Sequence, residues 1–431
     1  METSRRDIII LVIASLIFAA VLVPSILVYG RQDNQSVVDE VDEADTEQVE
    51  SKTPEPTSTS LGTTSFILRS ITSSTSSSAV TSSGRQDANE EKEALTGRTE
   101  VERRVDDILS RTPLIDGHND LAYSVKINLN NNVSLLELED LTDIQPWASQ
   151  TDSNTDIRRL REGKVGGQFW SAYIGCDSDD PVKEFVEQMD VIKQIVAKYP
   201  ETFHYADSVA GIRAGFRAGK VSSLIGVESG HAINSSLGVL RSLYTLGARY
   251  MTLTHSCNTP WAESSPSEYV RDGSKGLTQF GREVIQEMNR LGMIVDISHV
   301  SGQTMMDAIK ASSAPVMFSH SSARALNDHD RNVPDRVLRM IRDTGGVVMV
   351  NFYSCYLIPD CEEREATVQD VVTHINYIRS VAGVDSLGLG SDFNGVSQYP
   401  RGLKDVSGFP NIFTALIQDK VGLGQTLYCL T

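Results

Sequence analysis

His118 and Asp120 stand two residues apart at the end of the apolar run in "TPLIDGHNDLAY". Side chains two apart on a strand point the same way, so a neutral imidazole and a carboxylate would project together from a strand end. The arrangement recurs along the chain. Glu228 lies in "LIGVESGH", His255 in "LTHSCNTPW", His299 ends "VDISH", His320 ends "MFSH", and Asp392 lies in "GLGSDFNG". A lone histidine at a strand end is usually a hydrogen-bonded structural residue, but a succession of such endings points to shared chemistry. Imidazoles mixed with carboxylates suit zinc, and a carboxylate able to bridge suits two metal ions about 3.5–4 Å apart. No nucleophile elbow, glycine-rich phosphate loop or Ser-His-Asp order competes with that reading.

Such residues need a scaffold that presents strand ends on one side. From about residue 101 the sequence alternates helix and strand patterns. "SSLGVLRSLYTLG" is helical, with Val239, Leu243 and Leu246 on one face and Gly247 as its stop. "TQFGREVIQEMNRLG" carries a stripe of Phe280, Val284, Met288 and Leu291. Strand patterns follow in "ARYMTLTHS" and "MIVDISH". Helices near 301–311, 335–343 and 367–381 then alternate with strands in "PVMFSH", "GVVMVNF" and "SLGLGSDF". Near-continuous apolar strands alternating with amphipathic helices predict a parallel sheet covered on both faces. The number of units favours a (β/α)8 barrel of the α/β class, with its active site at the C-terminal ends of the strands.

The remaining chain has a different texture. Residues 8–30 carry no charge and are long enough to span a bilayer. Arg5 and Arg6 precede them and an acid-rich stretch follows, so residues 1–7 are expected in the cytoplasm and everything after residue 30 outside. This is a type II signal anchor at the plasma membrane, with the lipid bilayer as a partner. Residues 31–100, rich in Ser, Thr and acid, read as a disordered stalk before a barrel domain at 101–431. Sequons at Asn34, Asn132 and Asn234 suit glycosylation of an exported chain. The net charge of −18 argues against nucleic acid as a partner. Five cysteines lack zinc-finger spacing and read as disulfide candidates with one left over.

Longer blocks carry a specific resemblance. "PLIDGHNDLAY", "GGQFWSAYIGCD", "IGVESGHAINSSLGVLRSLYTLGARYMTLTHSCNTPWAES", "DISHVS", "SHSSARALNDHDRNVPD" and "VMVNFYS" resemble the membrane dipeptidase (renal dipeptidase) family, in that family's order, over about 101–417. The resemblance implies a zinc-dependent (β/α)8 barrel that cleaves dipeptides. It places one zinc ion on His118, Asp120 and Glu228 and a second on Glu228, His299 and His320, with a bridging hydroxide as the attacking group. It also implies that His255 contacts substrate and stabilises the oxyanion, that Arg331 in "DRNVPD" clamps the substrate carboxylate, and that Asp392 holds the free amine and relays a proton. Cys176 and Cys257 match a family disulfide, while Asn327 stands where another family cysteine would be, leaving Cys355 and Cys361 free to pair with each other if the loop allows. Asn394 replaces the family's usual second aspartate. A homodimer is left open.

His231 reads as structural, His329 as a loop residue near the mouth, and His204 and His374 have no functional case. The resemblance fails at "QDKVGLGQTLYCLT", which also lacks a lipid-anchor signal. A barrel short of its last helices would expose the outer face of the strand bearing Asp392 and of its neighbours, misplace Asp392 and leave Cys429 free or paired to another molecule. Two alternatives follow: a zinc hydrolase of another amide, and a non-catalytic or poorly active surface protein or truncated isoform on the same scaffold. Loss of a metal ligand would favour the second, and all five ligands are present.

Overall fold

The computed structural model describes residues 99–265 and 275–419. The segments expected to be anchor and stalk, the sequon at Asn34 and Cys429 lie outside the described residues. Among the described residues no helix is long and apolar enough to cross a membrane.

The strands are β1 (Leu114–Asn119), β2 (Val165–Tyr173), β3 (Phe203–Tyr205), β4 (Val221–Glu228), β5 (Ala248–Thr252), β6 (Ile294–Asp296), β7 (Met317–Phe318), β8 (Val347–Val350) and β9 (Leu387–Leu389). Their order is β2-β1-β9-β8-β7-β6-β5-β4, and a β2–β4 pairing closes the ring. All pairings are parallel, running from Gly167↔Ser222 to Tyr173↔Glu228 across the closure. The short β3 pairs only with the start of β4 and stays outside the ring of eight. The expected (β/α)8 barrel is therefore present.

Helices cover the ring where the apolar stripes require it. Val284 and Met288 of the helix Gln279–Leu291 are buried, and Gly292 ends it with φ 79°, a conformation glycine adopts without penalty. One stripe departs from expectation. In the helix Leu237–Thr245 the buried pair is Leu240 and Leu243, whereas Leu246 lies beyond the last turn and is exposed.

The outer face of β9 is also covered, contrary to expectation. Leu387 and Leu389 are buried, with Val371, Ile375 and Ile378 of the helix Val368–Ala382 and Phe409, Ile412 and Phe413 of the helix Phe409–Gln418 in the same core. The helix Phe409–Gln418 packs in turn against the helix Glu100–Arg111, whose Val105, Ile108 and Leu109 belong to the same core.

Inside the ring, Phe169, Leu224, Tyr250, Met317 and Met349 form a separate cluster. Tyr250 reaches from β5 to β1, and Gly226 on β4 makes room for it, because a Cβ there would lie 2.0 Å from the tyrosine ring.

Candidate active site

The strand ends meet on one side of the barrel. His118 is the fifth residue of β1, and Asp120 directly follows that strand at the start of the helix Leu121–Leu129. Glu228 ends β4, while His255, His299, His320 and Asp392 follow β5, β6, β7 and β9 within three residues.

Glu228 stands at the centre. Its Oε2 lies 3.3 Å from His118 Nε2, which in turn is 3.2 Å from Asp120 Oδ2. Its Oε1 lies 3.0 Å from His299 Nε2 and 3.5 Å from His320 Nε2. The two carboxylate oxygens thus face two ligand sets: His118, Asp120 and Glu228, and Glu228, His299 and His320. A third grouping, His118, His320 and Asp392, is also close enough to share an ion. All these side chains are buried.

Their polar atoms fit a metal ion better than they fit each other. His118 Nε2 and Asp120 Oδ1 are buried without a hydrogen-bond partner. His299 Nε2 and His320 Nε2 approach to 2.8 Å, aiming two imidazole nitrogens at one region. Neutral imidazole, carboxylate and a bridging glutamate are donors that zinc accepts.

The electrostatics follow from burial and crowding. Burial holds His299 and His320 well below the usual imidazole range, and the positive charge of Arg331 adds to this. His255 is pushed down to about 3 by the same two causes, in that order. For His118 burial opposes the charged form, but Tyr250, Glu228 and Asp120 outweigh it and raise the imidazole. Burial raises Glu228 and lifts Asp392 to about 6, in each case against the attraction of His118.

Backbone strain gathers here as well. Ser229, next to Glu228, has φ 126°, His299 has 65° and Asp392 has 66°. Side chains at such angles persist only where the surroundings over-determine them. At Asp392 the surroundings are its N–H to the His118 carbonyl and Asn351 Nδ2 donating to its Oδ2 at 2.8 Å. The expected misplacement of Asp392 is not found.

The cleft over the centre encloses about 330 Å³, in the range of small-ligand sites, and Arg331, Asp392, His255, Tyr173 and Tyr356 are among its lining residues. The Arg331 guanidinium lies 5.3 Å from the Tyr356 ring, and its three nitrogens are buried without a hydrogen bond. The Tyr356 hydroxyl senses its charge, but no geometry there closes a bond.

A match to the sequence model of the membrane dipeptidase family, peptidase family M19, spans residues 102–426. The chain belongs to that family. The match continues past residue 417, beyond the stretch over which the quoted motifs resemble the family. Solved structures resemble the chain as well. A metallopeptidase from Rhodobacter sphaeroides, liganded with a phosphinate mimic of the dipeptide L-Ala-D-Ala, is 25% identical over 74% of this chain and 95% of its own, with TM-score 0.65. A dipeptidase of family M19 is 26% identical over 74% of this chain and 95% of its own, with TM-score 0.64. A probable dipeptidase from Pseudomonas aeruginosa, 21% identical over 76% of this chain and 95% of its own with TM-score 0.67, shares the fold. Membership and the clustered ligands together support a metal-dependent dipeptidase.

The remaining M19-derived expectations find places too. Cys176 pairs with Cys257, and Cys355 with Cys361. Asn327 donates instead to the Cys355 carbonyl at 2.9 Å. Asn394 Nδ2 bonds Ser124 Oγ at 3.1 Å. His231 bonds Ser229 Oγ at 2.9 Å beside the first disulfide and lies outside the ligand sets. His204 lies in β3, and His374 is buried between the Ala323 N–H and the Leu357 carbonyl. His329 accepts the N–H of Arg331 and packs on Tyr356. Sequence reasoning overlooked Tyr356, Tyr173, Asn351 and Tyr250. For Tyr173 and Asn351 the signal existed, since they end β2 and follow β8 as the ligands follow their own strands.

Proposed function

We propose that the chain is a zinc-dependent dipeptidase with two zinc ions bridged by Glu228, acting on peptides short enough to fit between Arg331 and Asp392. The observation that carries this reading is the pair of Glu228 oxygens facing two separate ligand sets. When bound, the zinc pair supplies Lewis acidity and an acidified water for attack on a carbonyl.

The chain's own residues do the rest. Arg331 offers a planar fork to the terminal carboxylate, which restricts cleavage to peptides ending one residue beyond the bond. His255, neutral because burial pushes it down to about 3, can donate a ring N–H to a developing oxyanion. Asp392, lifted to about 6, holds the free amine and can pass a proton to the leaving nitrogen. In the same reading residues 8–30 anchor the chain at the plasma membrane as a type II protein. Asn132 and Asn234, both exposed, are then glycosylated outside the cell, as is Asn34.

The test is metal content and hydrolysis by the purified chain. About two zinc ions and chelator-sensitive cleavage of dipeptides, with matched tripeptides poor, are expected. Strong tripeptide cleavage with dipeptides untouched would overturn the assignment.

A further inference from the structure

Two buried carboxylates lie behind the ligands without belonging to them. Asp116 lies on β1 and Asp296 ends β6, and both are fully buried. Each receives the same two bonds from a serine that follows a neighbouring strand. Ser391, past β9, gives Asp116 its backbone N–H at 2.7 Å and its hydroxyl at 2.6 Å. Ser319, past β7, gives Asp296 its N–H at 2.9 Å and its hydroxyl at 2.6 Å.

The two serines differ in what their oxygens touch next. Ser391 Oγ turns to backbone, 3.1 Å from the His118 carbonyl and 3.2 Å from the Phe393 N–H. Ser319 Oγ lies 2.8 Å from His320 Nδ1. A hydroxyl has one proton to give. Given to the carboxylate, it leaves the oxygen to accept, so His320 must carry its own proton on Nδ1. Nε2 then faces Glu228 with a lone pair.

We propose that Asp296 and Ser319 are positioning residues of the metal centre, a carboxylate–hydroxyl–imidazole chain that holds His320 as its Nδ1–H tautomer and reserves Nε2 for a metal ion. The inference rests on the reading of Glu228, His299 and His320 as ligands. Asp296 also accepts the Ser298 N–H at 3.1 Å and the Thr252 hydroxyl at 2.5 Å. Ser298 Oγ in turn accepts the His320 N–H at 3.1 Å. One carboxylate therefore braces both turns that present His299 and His320. Groups that orient ligating histidines in this way are worth 10- to 100-fold in metal affinity.

The two serines make a matched test. Nitrogen-15 NMR of histidine-labelled, metal-free protein reads the tautomer directly, with the His320 signal assigned by its loss in His320→Gln. Wild type should show His320 protonated on Nδ1, and Ser319→Ala should shift it toward Nε2–H. In zinc titrations Ser319→Ala should weaken one site by about 10- to 100-fold. Ser391→Ala loses the equivalent carboxylate bond but touches no imidazole, and should keep wild-type zinc affinity. An Nε2–H tautomer in the wild type, or equal losses of zinc affinity in the two variants, overturns the proposal. If Ser319→Ala fails to fold, the wild-type tautomer decides alone. Both readouts omit substrate, so a wild type that binds zinc but cleaves no dipeptide refutes only the proposed activity.

Discussion

Replacing Arg331 by methionine should stabilise the substrate-free protein while crippling it as an enzyme. The arginine is 6% exposed and its guanidinium nitrogens have no hydrogen-bond partner. A buried donor left unpaired costs about 1–3 kcal/mol. Arg331 lines the cleft, so the cost for the whole group lies at the low end of that range. Methionine keeps the apolar stem and removes the orphaned donors, so stability should rise by about 1 kcal/mol, or about 2 °C in Tm for a domain of this size. The catalytic effect has the opposite sign. Two charge-assisted bonds to a carboxylate contribute about 1.5–3 kcal/mol each, so kcat/KM should fall by about 10² to 10⁴. The assay compares a dipeptide with its C-terminal amide, which has no carboxylate to clamp. Arg331→Met should lose rate on the acid and little on the amide. Equal losses on both substrates, or a melt several degrees below wild type, would refute the reasoning.

Two further outcomes are expected. Burial pushes the Asp116 carboxyl from 3.8 up to about 6, against the bonds from Ser391 and Gln168. The folded state therefore holds this proton more tightly than the unfolded chain. Stability from this group is greatest below about pH 4 and falls by about 3 kcal/mol as pH rises to about 6. Urea unfolding of the metal-free chain across that window should show a smaller drop for Asp116→Asn, and an unchanged slope would disprove the assignment. Gly226→Ala should force Tyr250 aside, since the new Cβ would lie 2.0 Å from its ring. The expected effects are a loss of about 1–3 kcal/mol by overpacking and weaker metal binding at His118, whose Nδ1 sits 2.9 Å from the Tyr250 hydroxyl. Wild-type melting and metal affinity in that variant would show that the barrel absorbs the methyl group.

The parts of this molecule legible in its sequence are those governed by near neighbours. Apolar runs such as "GVVMVNF" announce buried parallel strands, and glycines such as Gly292 mark helix ends because few other residues take their angles. The candidate ligands could be picked out because each sits within three residues of a strand end, which a barrel turns into one face. Tyr250 was not readable, because it acts across the barrel lumen on a histidine 132 positions earlier in the chain. Arg331 could be named from its motif, but its contact with Tyr356 depends on its loop meeting the short helix Ser354–Leu357. The cover over β9 was missed for a similar reason, since the helix Glu100–Arg111 shares that core from the opposite end of the domain.

The pairing of β1 with β9 also sets an order of events at birth. The bonds between Ser391 and Asp116 join residues 275 positions apart. At about 5–20 residues per second, about 14–55 s of synthesis separates the two. Throughout that interval β1 lacks one neighbour, and an unpaired strand edge is a template for other chains. In the proposed two-metal reading, His118, Asp120 and Glu228 would be available to an ion before His299 and His320 have been made. On that reading half of the proposed coordination set exists before the barrel can close, and protection of the β1 edge until residue 391 emerges would favour a correctly closed ring.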